Sequence, residues 1–584
     1  MKPKSKTITQ SLSWLHTWSG LIFGWLLFAI FLTGTLAVFD REIDGWMRPE
    51  IPAHSLDQVE AAQVAIDYLQ THHGDATAWN IGLPTERSPS LTVSAGEQRR
   101  GGGQQLDPHS GEPLDVRETA GGNFFFRFHY TLNLPRNIGI WVVGLAAMAM
   151  LVALISGIVI HKKFFKEFFT FRPAKGQRSW LDAHNATGVL VLPFHLMITY
   201  TGLVIFYLVY MPAAVDALFD GNRDEGFGRG GNRGGAQQVA QQERPRGAAD
   251  QPGENAERGF NRGGPSVADT GRASSQGVPP GEQGARGFSR PEQSAERGER
   301  GSNRAGQSAG QLDSAMPSER VPLTALGPLL AEAERLMGEV SGLSIQNPGR
   351  SDARIEARPV LGNIIELTKG RSMQFDGVSG VVLRQPAESN ASQLTQKVMA
   401  GLHFAQFGGY PMRWLYFLCS LASCAMIATG VVLFTVKRRR RHDAEGAVGA
   451  LLYHAAERLN VAVVAGLALA CVSLLWANRL LPVELELRGN WEVRVFFLVW
   501  LATLGHAIVR PWLKAWREQL VLAALLCLAL PLLNLLVENR GEHAWLEVTS
   551  VGIGLLLGWT GWKLGQPPKE RPPRRAGKAL AEAV

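Results

Sequence analysis

Eight long apolar runs limit the fold of this chain more than any other feature. Each run is close to or longer than the about 20 residues that an α-helix needs to cross a bilayer. The runs cover residues 14–39, 140–160, 184–210, 411–436, 452–477, 492–509, 519–537 and 546–562. They predict an α-helical polytopic membrane protein with about eight transmembrane helices.

Basic residues predict how these helices are oriented. Lys and Arg are concentrated before the first run and after the second, fourth, sixth and eighth runs. Because loops on the cytoplasmic side carry an excess of Lys and Arg, both termini are predicted to be cytoplasmic. Residues 40–139 and 211–410 are then expected on the outer side. The formal net charge of +8 follows largely from this topology, so it requires no nucleic acid as a partner.

The sequence contains an internal repeat. The first and third runs share a histidine and two glycines at the same spacing, and a further glycine matches between the second and fourth runs. The matching positions are His16 with His184, Gly20 with Gly188, Gly34 with Gly202, and Gly157 with Gly430. Repeated halves commonly pack around a pseudo-twofold axis and form sites where they meet. The first four spans are therefore predicted to be a duplicated core.

The outer segments repeat as well. Each has an amphipathic helical stretch, alternating strand-like residues and a closing turn, with Asp107 and Asp376 at matching positions. Two small α+β domains are predicted, and the second contains a Gly/Arg-rich insertion, 220–315, with too few aliphatic residues to form a core. The predicted boundaries are 1–39 for the first span, 40–128 for the first domain, 129–183 for the second span and a basic loop, 184–210 for the third span, 211–402 for the second domain, 403–441 for the fourth span and 442–584 for a four-span C-terminal extension.

Histidines inside the duplicated core are the candidate functional residues. His184 and His195 leave one face of a helix roughly 16 Å apart along its axis, and ionisable groups at membrane depth usually face a bundle interior or a cofactor. The six candidates are His16, His161 and His184 near the cytoplasmic surface, His195 deeper, and His129 and His403 near the outer surface. Two levels of imidazole are what a bundle needs to hold two haems with histidine axial ligands.

Alternatives remain open at this point. An interfacial histidine can also extend to the surface or cap a helix, the pairing of the histidines is undetermined, and His161 has no counterpart in the second half, where Phe434 stands. A bare metal centre is less favoured, because Asp182 is the only acid close to these histidines. All the cysteines lie within apolar runs and form no CxxC pair; they are Cys419, Cys424, Cys471 and Cys527.

Several segments together resemble the PepSY-associated transmembrane family of bacterial inner-membrane proteins. They are "WLHTWSGLIFGWLLFAIFLTGTL", "ISGIVIHKKFFKEFFTFRP", "WLDAHNATGVLVLPFHLMI" and "LHFAQFGG", while "LDPHSGEPL" and "FDGVSGVVL" resemble the closing strands of PepSY domains. The resemblance covers roughly residues 10–440. Members of this family are associated with iron uptake, and some are similar to haem-containing reductases of ferric siderophores.

The resemblance implies a function and a set of site residues. It implies two b-type haems in the four-span core, a periplasmic site for a ferric siderophore, and electrons from a quinol or a cytoplasmic reductase. The matching histidines form the ligand pool. Arg127 and Arg413 lie near the outer histidines in the sequence, where each could pair with a haem propionate or with a carboxylate of the chelate, or equally serve as an ordinary interfacial anchor. The resemblance leaves the C-terminal extension unexplained, including His454 and His506 near the cytoplasmic surface.

Two other functions compete with the reductase. The outer domains could bind or restrain a periplasmic partner, with the spans serving only as an anchor embedded in membrane lipid. That hypothesis leaves the repeated histidines without a role. A siderophore transporter would fit the repeat architecture, but the sequence shows no evident broken helix with a charged residue at the membrane midplane. The sequence therefore favours an oxidoreductase.

Overall fold

The computed structural model of the chain describes residues 7–52, 57–96, 103–161, 176–211, 321–362, 364–368, 370–439, 442, 446–537 and 544–566. The predicted insertion 220–315 and most of the basic loop after the second span lie outside these residues. The described part is mainly helical and carries one β-sheet.

The helices follow the apolar runs closely, with shorter helices between them. In chain order they are α1 (Ile8–Ala37), α2 (Asp40–Trp46), α3 (Gln58–His73), α4 (Asn123–Thr131), α5 (Arg136–Ile160), α6 (Gln177–Leu190), α7 (Leu192–Ile205), α8 (Tyr207–Tyr210), α9 (Leu326–Met337), α10 (Ala391–Phe404), α11 (Gly409–Arg438), α12 (Gly446–Asn460), α13 (Gly466–Leu480), α14 (Arg488–Val509), α15 (Trp512–Val537) and α16 (Ala544–Gly565). A π-helical turn, Val461–Ala465, joins α12 to α13.

Among the described residues, six helices are long and apolar enough to cross a membrane, or seven if one bent pair counts as a span. The bent pair is α6 and α7, which meet at an angle of 66°. Pro193 lies in the first turn of α7, where proline is tolerated but where its ring prevents α6 from continuing straight. The predicted eighth span is the helix α16, which is not among the spans. The structure supports a multi-pass membrane protein but does not confirm a count of eight.

The two segments between the spans form one sheet rather than two separate ones. The strands are β1 (Ala78–Gly82), β2 (Leu91–Ala95), β3 (Gln104–Leu106), β4 (Val340–Gln346), β5 (Arg354–Pro359), β6 (Met373–Asp376) and β7 (Val382–Arg384). Their order is β3-β2-β1-β4-β5-β6-β7, and neighbouring strands are antiparallel. The pairing of β1 with β4 therefore joins the two halves of the chain through backbone hydrogen bonds.

Side-chain packing explains why the sheet has one covered face. The helices α3 and α9 place buried apolar residues against alternate residues of the strands, as in Trp79 and Ile345, which are opposite each other in the β1–β4 register. The other face carries polar residues such as Asn80 and Ser344, whose side chains are hydrogen-bonded at 3.0 Å. Apolar residues towards the helices thus alternate with polar residues on the other face, where Ser344 is itself buried.

The closing turns of the two halves have the same geometry. The carboxylate of Asp107 accepts hydrogen bonds from the backbone N–H groups of His109 and Ser110 at 2.9 and 3.0 Å. Asp376 accepts from the corresponding groups of Val378 and Ser379 at 3.1 and 2.8 Å. These hydrogen bonds lower the pKa of both carboxyl groups below the usual range. The largest effect comes from the backbone N–H of Ser110 for Asp107 and from that of Ser379 for Asp376.

We predict that cysteines at opposite positions of β1 and β4 will form a disulfide across the shared sheet. Asn80 and Ser344 are directly paired, and the Cα atoms of opposite residues are about 4.5–5.5 Å apart, within the range of a disulfide. The double variant Asn80→Cys/Ser344→Cys should yield a cross-linked peptide by mass spectrometry after mild oxidation. A control pair, Asn80→Cys/Gln374→Cys, spans three strand spacings and should yield none. Equal cross-linking of both pairs would contradict the shared sheet.

Candidate cofactor-binding site

Two histidine pairs lie inside the four-span core. The first pair is His16 and His184, with ring centroids 6.2 Å apart and ring planes at 69°. Nδ1 of His16 donates a hydrogen bond to the backbone carbonyl of Ala153 at 2.8 Å. Nδ1 of His184 donates to the carbonyl of Met426 at the same distance of 2.8 Å. Each histidine is thus oriented by a carbonyl on a neighbouring membrane helix.

The second pair repeats this arrangement with different helices. The ring centroids of His129 and His403 are 5.9 Å apart and their planes are at 38°. Nδ1 of His129 donates to the carbonyl of Ile30 at 2.8 Å. The ring of His403 interacts with the backbone of Ile198, and its Nδ1 lies 3.1 Å from the hydroxyl oxygen of Thr201. Both pairs combine one histidine from each half of the repeat.

One rule relates all four histidines to the repeated glycines. Each ring interacts with the backbone of one residue on a neighbouring helix, and a glycine four residues further along that helix lies beside the ring. The four glycines are Gly157 beside His16, Gly430 beside His184, Gly34 beside His129 and Gly202 beside His403. A Cβ atom at these glycines would come within 3.2, 3.0, 2.6 and 2.9 Å of the respective rings. The glycines are therefore needed because the imidazoles occupy the space of a side chain.

The hydrogen bonds also fix the chemistry of the rings. A neutral imidazole that donates from Nδ1 has its free lone pair on Nε2. Histidines that bind metals almost always donate their other N–H group to a carbonyl, carboxylate or water. All four histidine residues are only partly buried. Each pair therefore presents two imidazoles, one from each half of the repeat, as candidate ligands.

The two pairs lie towards opposite ends of α1. His16 is near the start of this helix, whereas His129 contacts it at Ile30. Fourteen residues of α-helix correspond to about 21 Å. This separation is smaller than the about 30 Å thickness of the hydrocarbon core of a bilayer. One helix therefore connects two sites at different depths of the membrane.

His195 lies apart from this pattern. Its ring contacts that of Phe31, with centroids 6.4 Å apart, and its exposed fraction is 0 %. The ring lies close to the backbone of Gly188, but among the described residues neither ring nitrogen completes a hydrogen bond of good geometry, and the same holds for the hydroxyl of Thr199 one turn later. The predicted pair of His184 and His195 on one helix face is interrupted by the bend between α6 and α7. In the structure His184 faces His16 instead.

The remaining candidate histidines occupy three different environments. His161 ends α5 and lies close enough to His16 and His184 to interact with both electrostatically. His454 contacts the rings of His442 and Tyr453. His506 lies 2.9 Å from the carboxylate of Glu518. Neither C-terminal histidine belongs to the two pairs.

The two candidate arginines are also placed by the structure. Arg127 is partly buried on α4, two residues before His129. Arg413 is buried in the first turns of α11, 5.8 Å from the ring centre of Tyr410 and close to Glu42 and Arg87. Burial alone would raise the pKa of Glu42, but hydrogen bonds from Arg87 at 2.9 and 2.7 Å lower it overall.

A hydrogen-bond network outside the sequence-based candidates joins the C-terminal helices to the rest of the protein. Arg488 and Glu492 form a fully buried ion pair at 2.6 Å. Arg479 stacks on the ring of Trp46 at 3.8 Å and donates to its backbone carbonyl. The only sequence signal for this network is the presence of charged residues at the borders of apolar runs, which is common to most membrane helices.

These features define a multi-pass helical membrane protein with a duplicated core. The family model described as the PepSY-associated TM region matches residues 13–437, so the chain belongs to the PepSY-associated transmembrane family. This confirms the family resemblance of the sequence. No curated protein matches the chain. The matched region includes both histidine pairs and ends before α12.

We predict that His195→Leu stabilises the protein, because it removes a buried imidazole whose ring nitrogens complete no hydrogen bond of good geometry among the described residues. Leu27 stands at the equivalent position of the first half, so the repeat accommodates leucine there. A buried unsatisfied group costs about 1–3 kcal/mol, and the free energy of unfolding in detergent should rise by an amount of that order. Tyr200→Phe, on the same helix and 57 % exposed, serves as the neutral control. A loss of stability in His195→Leu would show that the approach of the imidazole to the backbone of Gly188 is a stabilising hydrogen bond.

Proposed function

We propose that this protein is a transmembrane electron-transfer protein that binds one b-type haem at each histidine pair and reduces a ferric siderophore. The observation that carries the proposal is the equivalence of the two pairs: each ring interacts with a helix backbone four residues before a repeated glycine, each ring lies beside that glycine, and the two centroid separations are 6.2 and 5.9 Å. Two independent pairs with this geometry are difficult to explain by packing alone.

The spacing within each pair supports bis-histidine ligation. Two imidazole nitrogens bound at about 2 Å on opposite sides of one metal ion are about 4 Å apart, and roughly 1 Å on each side to the ring centres gives a centroid separation of about 6 Å. Both pairs agree with this value. Among the described residues, no group of three or more His, Cys, Asp or Glu side chains could hold a metal ion. Paired histidines without carboxylates or thiolates suit haem better than zinc.

Haem at each pair would supply a one-electron carrier, and the protein would supply its position and surroundings. The backbone carbonyls hold the Nδ1 protons of His16, His184 and His129, which keeps Nε2 available as a ligand. The glycines admit the rings between closely packed helices. The apolar helices around both pairs exclude water and thereby favour electron transfer between the two levels over side reactions.

The direction of electron flow follows from the proposed topology. With the topology that the basic segments predict, the first pair would lie near the cytoplasmic side of a bacterial inner membrane and the second pair near the periplasmic side. An electron from a quinol or a cytoplasmic reductase would enter at the first pair and leave from the second to a ferric siderophore. Each electron converts one Fe(III) to Fe(II), for which hard oxygen donors have a weaker preference, so the chelate releases its iron.

A siderophore transporter is a second candidate, because the structure contains a bent span. The α6–α7 pair with its 66° bend resembles the discontinuous helices that form binding sites in transporters. However, the histidine buried near this bend is His195, and its ring contacts that of Phe31. The histidine pairs have no role in this alternative.

A third candidate, a membrane-anchored regulatory protein, also leaves the histidine pairs unexplained, and it predicts a colourless protein.

We predict that the purified protein contains about two b-type haems and that each pair binds one of them. The variants His16→Ala and His403→Ala should each contain one haem by the pyridine haemochrome assay, because each loses one axial ligand. His195→Leu should retain both. The control His72→Ala, on the exposed face of α3, should match the wild type. A colourless wild type, purified after expression with ample haem, would refute the proposal.

We predict that proteoliposomes with a reductant inside will reduce a ferric siderophore outside. Ferrozine, which forms a coloured complex with Fe(II), would report the rate. His16→Ala and His129→Ala should each reduce this rate at least about tenfold, because electrons must pass both levels to cross the membrane. His72→Ala again serves as the control. Reduction at the wild-type rate in His129→Ala would exclude the second pair from the electron pathway.

A further inference from the structure

The C-terminal helix α14 packs directly on the helix that carries His129. Phe496 is fully buried, and its ring centroid lies 4.9 Å from that of Phe124 and 5.7 Å from that of Phe128. Phe128 also contacts Phe497 and Trp500 at centroid distances of 6.1 and 6.0 Å. Aromatic pairs at such distances contribute to packing beyond the area that they bury. One face of α4 therefore packs against successive turns of α14.

The same helix holds the segment that leads into α4. Glu492 accepts hydrogen bonds from the hydroxyl of Thr119 at 2.7 Å and from the backbone N–H of Ala120 at 2.8 Å. These residues stand just before α4, which begins at Asn123. The carboxylate is itself fixed by Arg488 at 2.6 Å and by the side-chain amide of Asn478 at 2.9 Å.

A glycine in α14 permits this close approach. A Cβ atom at Gly489 would lie 2.9 Å from the backbone nitrogen of Ala120 and 3.0 Å from the carbonyl carbon of Thr119. Both neighbours are backbone atoms, so an added methyl group requires the segment before α4 to move. By contrast, a Cβ atom at Gly505 of the same helix would have no atom within 4 Å.

His403, the other histidine of the second pair, is positioned by contacts that do not involve α14. His403 lies near the end of α10, where Gly401 packs on the backbone of Ile365 and the hydroxyl of Tyr416 donates to the carbonyl of Leu402 at 2.6 Å. These contacts come from the second half of the duplicated core. The support that α14 gives to α4 therefore acts on one member of the pair.

We infer that α14 positions His129, so that this one C-terminal helix tunes the second histidine pair and not the first. Gly489, Glu492 and Phe496 are positioning residues: they act on the ring through α4 and its preceding segment. This gives a role to a part of the chain that lies outside the family match. The inference rests on the proposed function for its spectroscopic test, but the placement of α4 can be measured independently of any bound group.

The test compares Gly489→Ala with the matched control Gly505→Ala, because both add one methyl group to α14. Hydrogen–deuterium exchange of the purified full-length protein is measured for residues 119–131 and 391–404. We expect exchange of residues 119–131 to become roughly tenfold faster in Gly489→Ala, with residues 391–404 unchanged and the control like the wild type. Phe496→Leu, which keeps most of the apolar volume, provides a second variant if Gly489→Ala does not fold.

Redox titration and electron paramagnetic resonance give the second measurement. The ring planes differ between the pairs, 69° in the first and 38° in the second, so two bis-histidine haems should give separate low-spin signals. Gly489→Ala should shift the signal and midpoint potential of one haem and leave the other unchanged. Faster exchange in a protein without haem would support the positioning role while refuting the proposed function. Unchanged exchange, or equal shifts of both haems, would overturn the inference.

Discussion

The duplicated core depends on a contact between a histidine ring and the backbone of a membrane helix. An imidazole N–H group in an apolar bundle must find an acceptor, because an unsatisfied polar group away from water is costly. Carbonyl groups within a helix are already bonded, yet oxygen has a second lone pair that can accept. A glycine four residues later exposes that carbonyl by removing the side chain that would cover it. This explains why histidine and glycine recur together in both halves.

The shared sheet and the C-terminal helices stabilise this core from outside. Pairing of β1 with β4 makes the outer segments of the two halves into one unit. The buried Arg488–Glu492 pair links α14 to the chain entering α4. Buried ion pairs contribute little net stability, because desolvation offsets their attraction, but removal of one partner is strongly destabilising. The main structural consequence of this pair is that Arg488 holds the carboxylate that accepts hydrogen bonds from Thr119 and Ala120.

The sequence predicted most of the helices and the residues of both pairs, for a physical reason. Membrane-spanning helices satisfy all their backbone hydrogen bonds locally and bury apolar side chains in lipid, so composition alone locates them. The repeat identified His16 with His184, and His129 with His403, as equivalent positions. It could not show that each pair combines equivalent residues from the two halves, because that depends on how the halves pack. His195 illustrates the limit: periodicity placed it on the face of His184, and the bend at Pro193 removed it.

The amino-acid sequence by itself determined the family, the multi-pass architecture, the duplicated core and the set of candidate histidines. These properties follow from local composition and from spacing along the chain. Only the tertiary structure decided which histidines face each other, which glycine each ring contacts, that two outer segments form one sheet and that α14 supports α4. Each of these depends on contacts between residues distant in sequence, such as Glu492 with Ala120. Such contacts are set by the packing of whole helices and strands, which no single segment encodes.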